Sequence, residues 1–114
     1  MVRFEIVGLG PEAQKIVMVG RLDATSVGSI ETSFTAAVAA GGKSVVLDLT
    51  ALEFISSLGI RLLLSATRPL GRRGLKLAMF GAQPMVADVL EAMALGDILP
   101  LVATEDEALA RITG

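Results

Sequence analysis

Residues 47–60 read LDLTALEFISSLGI and predict a passage from a buried strand to a helix. The strand, predicted over 44–49, is almost continuously apolar, which is typical of a strand covered on both faces of a parallel sheet. A loop is predicted over 50–56, and an apolar helix over 57–68 that ends before Pro69. The pair of serines in this stretch therefore stands at the predicted start of a helix.

The rest of the chain alternates predicted strands with predicted helices. Upstream, two apolar runs flank a Gly- and Pro-containing turn and predict a hairpin. Downstream, each apolar run is followed by a segment with helical periodicity. Strands are predicted over 3–7, 15–20, 44–49, 76–80 and 98–102, and helices from Thr25 to Gly41, Ser57 to Arg68, Pro84 to Gly96 and Thr104 to Ile112.

This order of elements predicts the fold class. Strands and helices that alternate with short connections form a mostly parallel sheet with right-handed crossovers. The N-terminal hairpin adds antiparallel pairing, so we expect a mixed sheet. Pro100 interrupts the last strand and places it at a sheet edge. We predict a single α/β domain over 1–114, with about five strands and about four α-helices.

The composition excludes most catalytic chemistries. The 114 residues include no Cys and no His, which excludes thiolate nucleophiles, thiolate and imidazole metal sites, and Ser-His-Asp triads. A net charge of −2 and a pI of about 5.0 disfavour direct binding of nucleic acid. We therefore expect a protein that is not an enzyme and that holds no metal or cofactor.

Membrane insertion and secretion are also disfavoured. A membrane-spanning helix needs about twenty apolar residues. The longest stretches without a charge, 32–42 and 77–87, have 11 residues each. The N-terminal residues lack the long apolar region of a signal peptide. We predict a cytoplasmic protein that does not insert into a membrane.

Charged residues at two places in the chain have structural explanations. Asp48 lies near the end of a buried strand, as the phospho-accepting Asp of response-regulator receivers does, but the acidic pair and the lysine of that site are missing. We therefore predict a structural carboxylate that accepts hydrogen bonds from nearby amides. Arg68, Arg72, Arg73 and Lys76 form a basic cluster. The first three are expected to neutralise a helix C-terminus, with a lipid or nucleotide phosphate site as the alternative.

Ser56 and Ser57 allow two interpretations. In the first, a serine hydroxyl caps the helix by accepting a bond from a free amide, which stabilises it by about 1 kcal/mol. In the second, a hydroxyl at a helix start is exposed and surrounded by free amides, where the helix dipole favours negative charge. A phosphate there would change the charge of the surface with little disruption of the fold. Phosphorylation at this helix start is the functional hypothesis.

Three segments together resemble a known signature. They are VLDLT at 46–50, FISSLGI at 54–60 with Leu52 before it, and GRLD at 20–23. The first two are similar to the central motif of STAS domains, the family of anti-sigma factor antagonists. The third is similar to that family's Gly-Glu-Leu-Asp segment. The resemblance covers essentially the whole chain, with the same order of elements, and implies a STAS-like fold.

The resemblance implies a switch in partner binding. Family members of this kind bind an anti-sigma factor that is also a serine kinase, and so release a sigma factor. The kinase phosphorylates a serine at the start of the second helix, which ends binding, and a PP2C-type phosphatase restores it. Aligned on Phe54 and Gly59, that serine is Ser57, with Ser56 as the alternative. The implied partner surface comprises Asp23, Thr25, Ser56, Ser57 and Leu58.

Two positions depart from the family's common Asp-Ser-Ser/Thr-Gly pattern. Ser56 replaces the acid, and Leu58 replaces a small polar residue. These changes concern the preference of the kinase more than the fold. The alternative function is a STAS subunit of a phospholipid ABC transporter, which would dock on the transporter's ATPase without phosphorylation.

Overall fold

The computed structural model describes residues 2–113, so Met1 and Gly114 of the predicted domain lie outside the described residues. None of the helices in this range combines the length and the hydropathy that a bilayer crossing requires. The strands are β1 (Val2–Gly8), β2 (Ala13–Leu22), β3 (Ser44–Ile55), β4 (Leu77–Phe80) and β5 (Leu101–Val102), and the helices are α1 (Ala24–Gly41), α2 (Ser57–Arg72), α3 (Pro84–Ala92) and α4 (Glu105–Thr113).

The strands form one mixed sheet in the order β1-β2-β3-β4-β5. β1 and β2 are an antiparallel hairpin, and every other neighbouring pair is parallel. The predicted α/β class, the five strands and the four helices are confirmed. The last strand lies at a sheet edge, as Pro100 predicted.

Apolar side chains fill both sides of the sheet. On one face, α1, α2 and α3 pack through a large cluster that includes the fully buried Phe34. On the other face, α4 packs Ala108 and Ile112 against β3 and β4. The consecutive residues Val46 and Leu47 belong to opposite clusters, which is why the sequence of β3 is apolar without alternation.

The loop predicted over 50–56 is wrong, because β3 continues to Ile55. The register of β3 against β2 shifts twice, once between Val17 and Val19 and once between Gly20 and Arg21. At each shift β3 contributes one extra residue, so each shift is a β-bulge. The bulges replace the usual alternation with buried side chains three residues apart, at Leu49, Leu52 and Ile55.

Helix α2 does not end before Pro69, as predicted, but contains that proline and continues to Arg72. Proline removes one main-chain hydrogen bond from the helix. The last turn nevertheless packs Leu70 into the core, where it is 2% exposed, and burial of a leucine side chain contributes about 2 kcal/mol. The helix therefore continues through Pro69 and brings Leu70 into the core.

The segment between α3 and β5 also differs from its prediction. α3 ends at Ala92 instead of Gly96, and Ala94 adopts the left-handed conformation with φ 54°. The strand predicted over 98–102 shortens to 101–102, because a turn comes first. In that turn the amide of Leu99 donates to the carbonyl of Leu95 at 2.7 Å.

Candidate functional site

Two helices start side by side at the C-terminal edge of the sheet. Leu22 and Ile55 are register partners on β2 and β3, so the residues that follow them leave adjacent strands about 4.8 Å apart. Those residues are Asp23, the N-cap of α1, and Ser56, the N-cap of α2. The amide of Ser56 donates to the carbonyl of Leu22 at 2.9 Å, which ties the two starts together.

The start of α1 is closed by two reciprocal hydrogen bonds. Asp23 Oδ1 accepts from the amide of Ser26 at 2.9 Å, and Ser26 Oγ accepts from the amide of Asp23 at 2.9 Å. The bond from the amide of Ser26 holds the pKa of the Asp23 carboxyl below its ordinary value of 3.8. Asp23 is therefore a carboxylate at neutral pH.

Ser26 was missed by the sequence analysis, although it is the buried member of this box. It is 5% exposed, and its hydroxyl also donates to the carbonyl of Arg21 at 2.6 Å. The signal that could have found it is the Asp-x-x-Ser spacing at 23–26, which resembles a capping box.

Ser56 and Ser57 use their hydroxyls differently. Ser56 Oγ accepts from the amide of Gly59 at 3.2 Å and so takes the capping role. Ser57 is the first residue of α2, is exposed, and makes no side-chain hydrogen bond to any residue within 2–113. The amides of Ser57 and Leu58 likewise donate to no acceptor in the described part of the chain. One serine is structural, and the other presents an unused hydroxyl among unused amides.

Gly59 holds the start of α2 close to the end of β2. A Cβ at this position would lie 2.9 Å from the carbonyl oxygen of Leu22 and 2.9 Å from Cγ1 of Ile55. The carbonyl belongs to the backbone and cannot rotate away, so only glycine allows this approach. Gly59 therefore keeps the serine pair in a fixed position at the sheet edge.

Leu58 stands at a groove between α1 and α2. Its side chain is 41% exposed. The groove has a volume of about 590 Å³, and its walls are mixed in character. Val27 and Leu62 supply apolar surface, while Glu31 and Arg61 supply opposite charges. An apolar side chain beside Ser57 thus continues into an open, partly apolar groove.

Thr25 lies on the α1 side of the same edge. It is exposed in the first turn of α1 and lines a shallow depression of about 370 Å³ together with Asp23 and Ser26. The structure brings all the residues of the predicted partner surface to the starts of two adjacent helices: Asp23, Thr25, Ser56, Ser57 and Leu58. Their role in partner binding stays a prediction.

Asp48 has the structural role that the sequence predicted. Its Oδ1 accepts from the amide of Thr50 at 2.9 Å and from the hydroxyl of Thr50 at 2.7 Å. Thr50 lies at the first bulge of β3, and its carbonyl accepts from Nε2 of Gln83 at 3.0 Å. Asp48 therefore stabilises the irregular part of the strand that leads to the serines.

The three arginines of the basic cluster lie in three different places. Arg73 Nη1 donates to the carbonyl of Ala39 at 2.8 Å, so it neutralises the C-terminus of α1 and not that of its own helix. Arg72 lies in the last turn of α2, where a cation is favourable. Arg68 instead lines the groove between α1 and α2.

Arg21 and Phe54 form a contact that the sequence analysis did not predict. They are register partners on β2 and β3, and the Arg21 guanidinium carbon lies 4.6 Å from the centre of the Phe54 ring. A cation at this distance is attracted to the ring face. The pair exists because β3 extends past residue 50, which the predicted loop left out.

Known proteins resemble this chain in sequence. The family model of the STAS domain matches residues 10–108. BtrV of Bordetella bronchiseptica, a candidate anti-sigma factor antagonist, is 30% identical over 91 residues. The match covers 80% of this chain and 78% of BtrV.

Solved structures resemble it in fold. An anti-sigma factor antagonist from Mycobacterium paratuberculosis superposes with a TM-score of 0.86 at 22% identity, covering 100% of this chain and 96% of that one. The unphosphorylated form of the anti-sigma factor antagonist SpoIIAA has a TM-score of 0.77 at 26% identity, over 96% and 95% of the two chains. The phosphorylated form of Bacillus SpoIIAA has a TM-score of 0.69 at 25% identity, over 96% and 98%.

Proposed function

Because this chain belongs to the STAS family of anti-sigma factor antagonists, we propose that it binds an anti-sigma factor until phosphorylation of Ser57 ends the binding. In this proposal the anti-sigma factor is itself the serine kinase, and a PP2C-type phosphatase reverses the switch. The chain acts in the cytoplasm by binding and not by catalysis. While the complex lasts, the sigma factor is free.

The observation that carries the proposal is the unused hydroxyl of Ser57. This hydroxyl is exposed and makes no hydrogen bond within residues 2–113, so a kinase can phosphorylate it without breaking a contact of the fold. Ser56 is half-buried and already accepts a bond from the amide of Gly59. This difference favours Ser57 as the acceptor.

The start of α2 can hold a phosphate without rearrangement. The amides of Ser57 and Leu58 have no acceptor within the described chain, and the positive end of the helix dipole lies at the same place. A phosphoserine adds close to two negative charges at neutral pH. We expect these charges to be tolerated by the fold and to be felt by whatever lies against the surface.

Binding ends because the phosphate changes the character of the partner surface. Before modification, the edge presents a neutral hydroxyl and the apolar Leu58 beside the carboxylate of Asp23. Afterwards, a partner that fits this surface must desolvate a phosphate and accept added negative charge next to Asp23. The solved forms of SpoIIAA, with and without phosphate, support a phosphorylation switch on this fold.

The partner is expected to cover both helix starts. Asp23 and Thr25 present polar groups from α1, and Leu58 supplies an apolar contact from α2. The exposed side chain of Leu58 beside an open groove offers apolar surface that a bound partner can bury. The names of the relatives support a sigma pathway over the alternative of a transporter subunit.

The proposal is tested by incubating the purified chain with the candidate serine kinases of its own organism and ATP. Mass spectrometry locates the phosphate, and kinase binding is measured before and after. We expect phosphate on Ser57 and loss of binding.

Ser57→Ala should abolish the phosphate and keep binding, whereas Ser56→Ala should keep the phosphate on Ser57. If Ser57→Ala is still phosphorylated and Ser56→Ala is not, the acceptor is Ser56. No phosphate from any kinase, with capture of a transporter ATPase, would favour the transporter role.

A further inference from the structure

β1 leaves one long edge of the sheet open. The strand order makes β1 and β5 the two edge strands. β5 is only two residues long and follows Pro100, whereas β1 is seven residues long and contains no proline. Ile6 and Val7 of β1 are 50% and 40% exposed. An open edge strand of this length is a template for pairing with another chain.

The register of the hairpin shows which main-chain groups are open. The amide of Leu9 donates to the carbonyl of Ala13 at 3.1 Å, so the odd-numbered residues of β1 form the hydrogen-bonded pairs with β2. The even-numbered residues point their main-chain groups the other way. The N–H and C=O groups of Val2, Phe4 and Ile6 therefore face away from the sheet, in its plane.

Two opposite charges flank the middle of this edge. The ring of Phe4 packs edge-on against Phe34 of α1, with centroids 5.6 Å apart. Side chains alternate between the faces of a strand, so Arg3 and Glu5 lie on the face away from α1. Both are exposed, and neither forms an ion pair with another of residues 2–113.

We propose that β1 pairs antiparallel with β1 of a second copy of this chain, in the register centred on Phe4. Phe4 then lies opposite its own copy, and Val2 lies opposite Ile6. The main-chain groups that face away from the sheet meet as hydrogen-bonded pairs. Arg3 lies opposite Glu5 in the closely spaced, non-hydrogen-bonded pair, and the two-fold axis makes this ion pair twice.

The charges select this register over its neighbours. A shift to the next register on one side places Arg3 opposite Arg3, and a shift on the other side places Glu5 opposite Glu5. Like charges directly opposite each other on paired strands are unfavourable. The strand is thus complementary to itself in the register centred on Phe4.

The pairing would join two sheets into one of ten strands, from the five of each copy. The strands of the two copies run in opposite directions, so their C-terminal edges lie at opposite ends of the dimer. The helix starts that carry Ser57 remain open on both copies. This inference therefore does not rest on the proposed function, and a dimer would display two such sites.

The test is sedimentation velocity of the chain and of charge-reversal variants. An interface made by edge strands is small, so we expect a weak dimer that forms between about 10 μM and about 1 mM. Arg3→Glu and Glu5→Arg should each raise the dissociation constant of the dimer by about tenfold or more, because both symmetric pairs become repulsive. An equimolar mixture of the two variants should associate again, since acids of one chain then face arginines of the other. The double variant should also recover.

Glu91→Arg is the control for Glu5→Arg, because it makes the same charge change at an exposed site on α3. It should dimerise like the wild type. Circular dichroism checks that every variant is folded. A wild type that stays monomeric at about 1 mM would overturn the proposal. Single variants that associate as the wild type does would also overturn it, because the interface would then lie elsewhere. A mixture that fails to associate would overturn it too, because Arg3 and Glu5 would then not lie opposite each other.

Discussion

The starts of α1 and α2 share one backbone conformation and differ in how their polar groups are used. Asp23 has φ −100° and ψ 179°, and Ser56 has φ −97° and ψ 172°. At α1, a carboxylate and the hydroxyl of Ser26 complete a reciprocal box with two bonds of 2.9 Å. At α2, a single hydroxyl bond of 3.2 Å caps the helix, and Ser57 beside it has no side-chain bond in the described chain.

This difference suits the start of α1 to stabilising the fold and the start of α2 to acting as a switch. A helix start that is already capped by a carboxylate carries a negative charge that repels a second anion. A start that is capped by one neutral hydroxyl leaves amides free for a phosphate. Since Leu22 and Ile55 tie both starts to one strand pair, the start of α2 can change its charge while that of α1 keeps the geometry.

The largest effect is expected from adding a charge at the open start. Ser57→Asp should weaken binding of the anti-sigma factor by about 100-fold, because a new charge against a partner costs several kcal/mol. Its free energy of unfolding should stay within about 0.5 kcal/mol of the wild type, since a helix N-terminus favours acids. Isothermal titration calorimetry and thermal unfolding measure the two quantities.

Thr104→Asp is the matched control for that variant. Thr104 caps α4, which packs on the opposite face of the sheet, by accepting from the amide of Glu107 at 3.3 Å. An acid there adds the same charge at a helix start but should leave partner binding unchanged. Equal losses of binding in both variants would show that net charge, and not the position of Ser57, controls the complex.

Gly59→Ala tests whether close packing fixes the open start. The added Cβ meets the carbonyl of Leu22, so we expect a loss of about 1–3 kcal/mol in the free energy of unfolding. Gly71→Ala, on the same helix, meets nothing within 4 Å and should gain about 0.4–1 kcal/mol. Urea unfolding measures both. If Gly59→Ala is as stable as Gly71→Ala, the start of α2 is not held by this contact.

The two adjacent serines give a smaller and sharper contrast. Ser56→Ala removes the bond to the amide of Gly59 and should cost about 1 kcal/mol of unfolding free energy. Ser57→Ala removes a hydroxyl with no partner in the described chain and should change stability by less than about 0.5 kcal/mol. Urea unfolding of both variants measures the two free-energy changes. Equal costs would mean that the capping role is shared, and the division between a structural and a functional serine would fail.

Much of this comparison was accessible from the sequence, because it depends on local patterns. Hydrophobic periodicity predicted the five strands and four helices, and the apolar run before Asp48 predicted a doubly covered strand. The serine pair at a helix start follows from the same pattern. The resemblance to the STAS signature then directed attention to Ser57.

The remainder depends on pairing between distant segments. The bulges of β3 exist only against β2, and they gave Leu49, Leu52 and Ile55 a spacing that no isolated strand predicts. The different roles of Ser56 and Ser57 depend on which residue begins α2, and the bond from Ser56 to Leu22 sets that position. Sequence patterns locate such a site, and tertiary contacts assign the roles within it.

The smallest expected effect is the acid sensitivity of the closed start. The pKa of the Asp23 carboxyl lies below 3.8 in the folded chain because the amide of Ser26 donates to it. Its contribution to stability is therefore complete above pH 3.8 and is lost as the pH falls through the lower pKa of the folded state.

Asp23→Asn keeps a good N-cap acceptor at every pH. On acidification below pH 3.8 the wild type should lose more stability than Asp23→Asn, since all other carboxyls are common to both chains. Thermal unfolding of both proteins across this range measures the difference, and parallel curves would show that the box at α1 does not depend on the charge of Asp23.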